Sequence, residues 1–597
     1  MTFVRKHRWL LLLILCSILF SLPLLQRLSL WGIQDWDQHM ALSESSRQII
    51  LTYHQFPLWN PYRCGGMTDI GQPQNRFLWP FFPIILLLGS PIGHKIVFVF
   101  HIMLAAIGMF LLARHWKIST VASFYAAIVF AYSGLFTVSF AVGPTNFVNL
   151  AWVPWLILCI HIFVEKKNFS GAFPFIVATA IIMTWMFFGG WNYIPLVAIL
   201  VGTLVVVGAV EHKRWHPIYF GVLALCFFVG LAAIKLFPSI ETIYRYPRFV
   251  ATVPHDGYSL PSLLFSLLSR NQTFESWQSL IEKGAPMSFG IDENSMYVGM
   301  YSLVLLFVGL LDKNRSKRLL MPLLVFLWII LGVNVTPSLY SWLHTLPIFS
   351  MMMVAQRYKY FFMAFFALIA GIGFDAGSKL ISKHLNAQIL LFIQMAALAF
   401  IFTDLYKVNT SIFATAFRTI PTKIPKSSVF RQLASTSFAG QTNRAITYAA
   451  GVQEYPTIHA DYGSINCYES LPLPASPVQS YKDPTYKGEV YLLKTHDSVD
   501  YTWSPNIITL SLQKTLKQDD TLVVNQNYDP NWWIIRNNVK IERAMNEHGI
   551  LAAPVSPSDT NVTFLYLPLT FVFGAIVTLL SCVVLGKTFF ALSKKRP

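Results

Sequence analysis

Charge is what this sequence has least of. Only 12% of its 597 residues are Asp, Glu, Lys or Arg, against 54% hydrophobic and 15% aromatic, which leaves too little polar surface to clothe a soluble globule of this size. A soluble enzyme is excluded, and a polytopic α-helical membrane protein is expected. Cysteine is scarce as well. None of the six lies in CxxC spacing, and Cys16, Cys159, Cys226 and Cys582 fall inside hydrophobic runs, so no metal framework built on thiols follows. The formal net charge is +17 without a basic cluster, and nucleic acid is not a predicted partner. Internal repeats and low-complexity tracts are absent too. No small-residue cleavage site follows Ser21-Leu22-Pro23, so the run Trp9 to Leu25 behind Arg5, Lys6 and Arg8 reads as a retained first span.

Further runs of spanning length lie near 94–113, 119–141, 147–164, 170–188, 192–210 and 217–237, then near 296–311, 319–333, 358–374, 388–404 and 564–586. The segment 77–89 (FLWPFFPIILLLG) is apolar but short and broken by Pro80 and Pro83. Charge decides its placement. If it does not span, Arg114/Lys117, Lys166/Lys167, Lys213/Arg214, the group Lys313 to Arg318, Lys379/Lys383 and the tail Lys594-Lys595-Arg596 all share the side of the N-terminus. The opposite short loops carry no Lys or Arg, so both termini are predicted cytoplasmic, with about twelve spans and 77–89 re-entrant or interfacial. Long segments then face outward at 26–93, 238–295, 334–357 and 405–563.

The domains predicted are a transmembrane region over 1–404, an extracytoplasmic β-rich region over 405–563, and a last helix with its tail over 564–597. In the second, alternation replaces apolar runs in EVYLLK, NIITLSL, TLVVNQ and NVTFLYL, with turns at Tyr528-Asp529-Pro530-Asn531 and Ser556-Pro557-Ser558-Asp559. That pattern predicts a sandwich-like domain.

The first outer loop concentrates what charge there is: Asp35, Asp37, Glu44, Arg47, Arg63, Asp69 and Arg76. Ionisable groups held against a membrane point to function. Gln38 to Phe56 has helical spacing, with Glu44 paired to Arg47 or Gln48, and is expected to lie along the interface. Asp37 reads either as part of a site or as the N-cap of that helix. Asp35 has no such structural duty and is the preferred general base.

Asp35-Trp36-Asp37-Gln38-His39, Phe56-Pro57-Leu58-Trp59-Asn60-Pro61, Cys64-Gly65-Gly66-Met67 and Pro73-Gln74 together resemble the YfhO-like branch of the GT-C integral-membrane glycosyltransferases. The likeness continues through Lys235-Leu236-Phe237-Pro238, Pro247-Arg248, Glu293 with Tyr297-Val298-Gly299, and Tyr528-Asp529-Pro530-Asn531-Trp532. It implies inverting transfer of a sugar from a polyprenyl-phosphate donor to an envelope glycan or lipid acceptor, on the outer face of a bacterial cytoplasmic membrane. Asp35, with Asp37 as partner or alternate, would take the acceptor proton. Arg357 and Lys359, with Arg248 as a weaker candidate, would hold the donor phosphate, although Lys and Arg at span ends also snorkel to the interface.

Glu293 reads as an assisting carboxylate or as a solvated or capping residue. Gln38, His39 and Tyr297 are further candidates for sugar or acceptor contacts. The oxygen chemistry of Asp35, Asp37 and Glu293 suits a divalent cation, but nothing in the spacing brings them together and no metal is predicted. Cys64 and Cys467 are the cysteines expected outside, and a disulfide between them would tie the first loop to the β region. The rival function, a transporter or flippase of lipid-linked saccharides, calls for charges in mid-span. Lys235, near a span end, is the main one present.

Overall fold

The computed structural model describes residues 2–594 apart from 191–192, 248–256, 274–275, 277–278, 280–281, 283–289, 353, 419, 422, 435–453, 468, 498 and 513–515. Among the described residues, 11 helices are long and apolar enough to cross a membrane: Arg8–Leu25, Ser90–His115, Thr120–Val142, Thr145–Glu165, Phe169–Phe188, Ile194–His212, His216–Arg245, Ile291–Leu311, Ala355–Ile381, Ala387–Ala416 and Leu569–Leu592. The chain is a multi-pass membrane protein. The span expected near 319–333 is the helix Lys313–Ile330, whose apolar stretch is shortened by Lys313, Arg315, Lys317 and Arg318 at its start. Segment 77–89 holds only the helix Phe82–Leu88, about 10 Å long at 1.5 Å per residue and unable to span. Small residues allow one close helix contact. A Cβ on Gly309 or Gly373 would collide with the Ile369 or Leu305 carbonyl, so the helices Gly299–Leu311 and Lys359–Ile381 meet backbone to backbone.

Strands begin inside the first long loop, where β1 (Trp59–Asn60) pairs with β2 (Met67–Thr68). Beyond the helices, β3 (Arg431–Leu433) and β4 (Tyr462–Ser464) pair in parallel. An antiparallel sheet of order β11-β12-β8-β5 is built from β5 (Val490–Leu492), β8 (Asp520–Asn527), β11 (Met545–Glu547) and β12 (Ile550–Val555). A second, of order β10-β9-β13-β7-β6, uses β6 (Tyr501–Trp503), β7 (Ile507–Ser511), β9 (Trp532–Arg536), β10 (Lys540–Arg543) and β13 (Asn561–Tyr566). Alternation does what it predicts. Leu522, Val524, Leu551 and Ala553 share a core with Ile508, Leu510, Ile534, Val562 and Phe564, while Val523, Ala552 and Tyr491 pack on the other face. The four strand segments read from sequence are β5, β7, β8 and β13. Helix persists past residue 404, however, through Ala387–Asn409 and Ser411–Ala416.

The expected interfacial helix forms as Trp36–Tyr53, but it is buried rather than laid on a membrane surface. Most of its polar residues have protein partners. The Glu44 carboxylate accepts from Arg47 at 3.0 Å and Ser90 at 2.7 Å and meets the His459 ring at 3.1 Å.

The loop that follows this helix is shared between the helical bundle and the strands. Trp59 packs on Trp532 and Tyr566, with ring centroids 5.4 and 4.8 Å away, and donates to Gln526 at 2.7 Å. Cys64 and Cys467 form a disulfide. Beside it the buried Arg63 donates Nε to Glu454 at 2.7 Å and Nη1 to Glu469 at 2.8 Å. Removing one member of a buried ion group strands the others without water or counter-charge, at about 3–5 kcal/mol. Arg63→Ala is therefore expected to lower the melting temperature of the detergent-purified protein substantially. An unchanged melting temperature would mean that docking of the β region does not depend on this residue.

Candidate functional site

Asp35 stands where four segments meet. The chain leaving the first span is tied to the helix Gly134–Val142 by the Ile33 amide, which donates to Ala141 O at 3.2 Å. Gly143, at φ +130°, then passes so close to the Asp35 backbone that any Cβ there would overlap it. Only glycine suits both that φ and that approach. Asp35 is the residue before Trp36–Tyr53, yet its side chain caps nothing. Its Oδ1 is buried without a hydrogen-bond partner among the described residues, while the residue as a whole is only half-buried. Burial, the Glu293 charge and, in opposition, Arg357 push its carboxyl up to about 6. A group poised there can be ionised and still accept a proton near neutral pH.

Glu293 and Arg357 form the second half of the site. Arg357 Nε donates to Glu293 Oε1 at 3.0 Å, with a second bond from its Nη2, and its guanidinium lies 5.5 Å from the centre of the Phe147 ring. Lys359 is occupied differently: its buried ammonium donates to the backbone oxygens of Glu293 at 2.8 Å and Asp292 at 3.4 Å. Ser139 Oγ also donates to Asp292 O at 2.8 Å, and Tyr258 to Asn294 O at 2.6 Å. These bonds fix the short turn Ile291–Asn294, and with it the Glu293 carboxylate.

Asp37 is a helix cap, but not of its own helix. Its two oxygens accept from the amides of Glu454 at 2.7 Å and Tyr455 at 3.1 Å, which open the helix Glu454–His459. Burial and the Glu454 charge nevertheless raise its pKa to about 7, against the pull of those two amides and of Arg63. Since both oxygens are engaged there, and Glu293 is engaged by Arg357, the trio Asp35, Asp37 and Glu293 is not assembled as a cation site. Among the described residues, the group of three with ligand atoms near enough to hold an ion is instead His115, His161 and Glu165.

The remaining candidates divide. His39 is buried and its Nδ1 accepts from Arg76 Nη2 at 2.7 Å, which puts the ring proton on Nε2; burial and the charge of Arg76 hold it well below the usual histidine range. Gln38 is buried, and its amide nitrogen has no partner among the described residues. Tyr297 spends its hydroxyl on Asp404 at 2.7 Å. Arg248 lies outside the described residues. Sequence reasoning gave no role to Arg63, Arg76 or Gly143. For Arg76 a signal was present, since no acidic residue stands near it in the run Gln72-Pro73-Gln74-Asn75-Arg76-Phe77-Leu78-Trp79-Pro80.

A raised carboxyl pKa has a consequence for stability. The folded protein binds the Asp35 proton more tightly than the unfolded chain, so stability falls as pH climbs from about 4 towards about 6 and stays reduced above it. Asp35→Asn is expected to raise the melting temperature at pH 7 and to leave it unchanged near pH 4. No gain at pH 7 would contradict a charge held out of water there.

No family model matches the chain, and no curated protein does. Among solved structures it is similar to the arabinofuranosyltransferase AftD from Mycobacteria, at 15% identity and TM-score 0.48 over 79% of this chain and 32% of that one. It is also similar to ArnT from Cupriavidus metallidurans bound to undecaprenyl phosphate, at 10% identity and TM-score 0.46 over 77% and 85%. A third is the Archaeoglobus fulgidus oligosaccharyltransferase in complex with Zn and sulfate, at 11% and 0.42 over 78% and 63%. The chain spans about a third of the length of the AftD chain it matches, 32%. All three TM-scores lie below 0.5 and all three identities below 25%.

Proposed function

We propose that this protein is an inverting membrane glycosyltransferase that moves a sugar from a polyprenyl-phosphate donor to an envelope glycan or lipid. The observation that carries this is Asp35: a carboxylate at a span exit, half-buried, with an unpartnered oxygen and a pKa near 6, beside a fixed carboxylate and arginine pair. In the reaction the acceptor hydroxyl gives its proton to Asp35 while its oxygen bonds to the anomeric carbon from the face opposite the phosphate. The bond from that carbon to the phosphate oxygen breaks with its electron pair, and polyprenyl phosphate leaves. Arg357, oriented by Glu293, lends positive charge to the departing phosphate. Lys359 holds the turn that bears Glu293, which makes it a positioning residue.

Several observations support the side and the setting. The charge pattern of the short loops favours the outer face for this end of the bundle. The disulfide Cys64–Cys467 stands at the same end, and such bonds persist in oxidising compartments. The bacterial cytoplasmic membrane follows from the sequence resemblance.

The test is transfer of labelled sugar from polyprenyl-phosphate donors by membranes containing the protein. Asp35→Asn removes the base while keeping shape and is expected to lower transfer by about 10² to 10⁴-fold. Asp37→Asn, which keeps an acceptor oxygen for the capped helix, should retain measurable transfer. Equal rates for Asp35→Asn and the parent would sink the carboxylate mechanism, and a parent that never releases polyprenyl phosphate would sink glycosyl transfer itself.

A further inference from the structure

The helix Ser90–His115 joins two ends of the bundle. At its start the Ser90 hydroxyl donates to Glu44 of the first long loop at 2.7 Å. At its finish, 26 residues and about 39 Å away at 1.5 Å per residue, stands His115. There it meets His161 and Glu165 of the helix Val153–Glu165. These two are four residues apart, about one turn, and so share a helix face. The two helices are held in register nearby: Trp155 donates to Leu104 O at 2.9 Å, and a Cβ on Gly108 would strike the Trp155 ring. His115 follows Gly108 by seven residues, about two turns, so the packing that seats Trp155 also brings the two imidazoles together. The Trp116 ring lies against His161, with centroids 4.3 Å apart.

The donor atoms of these three residues face one another. Nε2 of His115 and Nδ1 of His161 are 3.0 Å apart, Glu165 Oε2 lies 3.8 Å from the first and Glu165 Oε1 3.8 Å from the second. One ligand atom from each residue can be taken with all separations within 4.8 Å. At 3.8 Å neither ring donates to the carboxylate, since such a bond needs about 3.2 Å or less. A hydrogen bond therefore accounts for the ring pair alone and leaves the carboxylate, turned toward both ring nitrogens, without a bonded partner in the cluster. Ligands about 2.0–2.1 Å from a tetrahedral zinc stand about 3.3–3.4 Å from one another, which falls between the two observed separations. His161 also lines a cleft with Trp116, His212 and Arg318, and the Glu165 side chain is 40% exposed, so water can reach a fourth position. Arg318, the cation lining that cleft, is paired with Glu211.

We propose that His115, His161 and Glu165 form a binding site for a divalent transition-metal ion of the zinc class, with three protein ligands and an open fourth position. Two imidazoles and a carboxylate suit zinc, whereas magnesium and calcium take oxygen ligands. Each ring would then coordinate through the nitrogen that faces its neighbour and carry its proton on the other. An ion held there ties together the ends of two spans, at the end of the bundle remote from Asp35, and its binding does not rest on the glycosyl-transfer reading.

The full-length protein in detergent, freed of any polyhistidine tag and stripped with a chelator, would be titrated with zinc chloride and cobalt chloride, and with magnesium and calcium chloride for contrast. One zinc per chain should bind, the melting temperature should climb with zinc concentration, and cobalt should give the visible absorption of a four-coordinate ion. His115→Gln and His161→Gln each keep a polar partner for the other ring but lose a ligand. Each should weaken zinc binding by about 100-fold or more, beyond the roughly 10 to 100-fold that loss of an outer-sphere partner costs. Glu165→Gln changes an exposed side chain, should fold as the parent does, and should weaken binding by about 10-fold or more. His548→Ala, at a side chain 95% exposed among the strands, should leave affinity unchanged. The site is overturned by a parent that binds no zinc, by magnesium or calcium binding as tightly, by undiminished affinity in Glu165→Gln or in either histidine variant, or by an equal loss in His548→Ala. Should the histidine variants fail to fold, the stoichiometry and cobalt spectrum of the parent and the affinity of Glu165→Gln decide the matter.

Discussion

The guanidinium of Arg63, buried between Glu454 and Glu469, is the interaction on which the rest of the architecture turns. A charge that deep is tolerable only while both carboxylates stay in place, so it locks the first long loop to a region nearly four hundred residues later. The disulfide next to it and the capping of Glu454–His459 by Asp37 act on the same junction. The loop and the C-terminal region are thus one unit. Asp35, two residues before Asp37, takes its position from this unit on one side and from the Gly143 turn on the other.

Much of this was legible in the sequence because it depends on periodicity. Apolar runs of spanning length gave the helices, period-two segments gave β5, β7, β8 and β13, and the density of ionisable groups in the first loop pointed to the candidate site. Asp35, Glu293 and Arg357 come together as separate sequence signals, since each stands at the end of a span and those ends converge. What periodicity cannot report is who partners whom. Trp36–Tyr53 looked amphipathic because its polar residues are real, but their partners are Arg47, Ser90 and His459 rather than water. Asp37 looked like a cap and is one, for a helix whose own sequence gives no hint of it. The cysteine pair was readable only as the two thiols outside hydrophobic runs.

Two kinds of cation emerge from the comparison. Arg63 and Lys359 have their donors filled by carboxylates or carbonyls, and their role is to hold shape. Among the described residues, Arg76 is left with Nε and Nη1 unbonded. The distinction is invisible in composition and follows only from tracing each N–H to its acceptor.

The linkage between residues 64 and 467 also imposes an order on biosynthesis. The first loop emerges early, soon after the first span, carrying Arg63, Asp37 and the Cys64 thiol, whose partners have yet to be made. Its neighbours Glu454, Glu469 and Gln526 are translated only after some ten further membrane helices have been inserted. At about 5–20 residues per second that interval exceeds the folding time of most domains. The loop therefore waits unfinished at the membrane surface while the bundle assembles behind it, and Asp37 near its entrance acquires its partners Glu454 and Tyr455 only when the last quarter of the chain arrives.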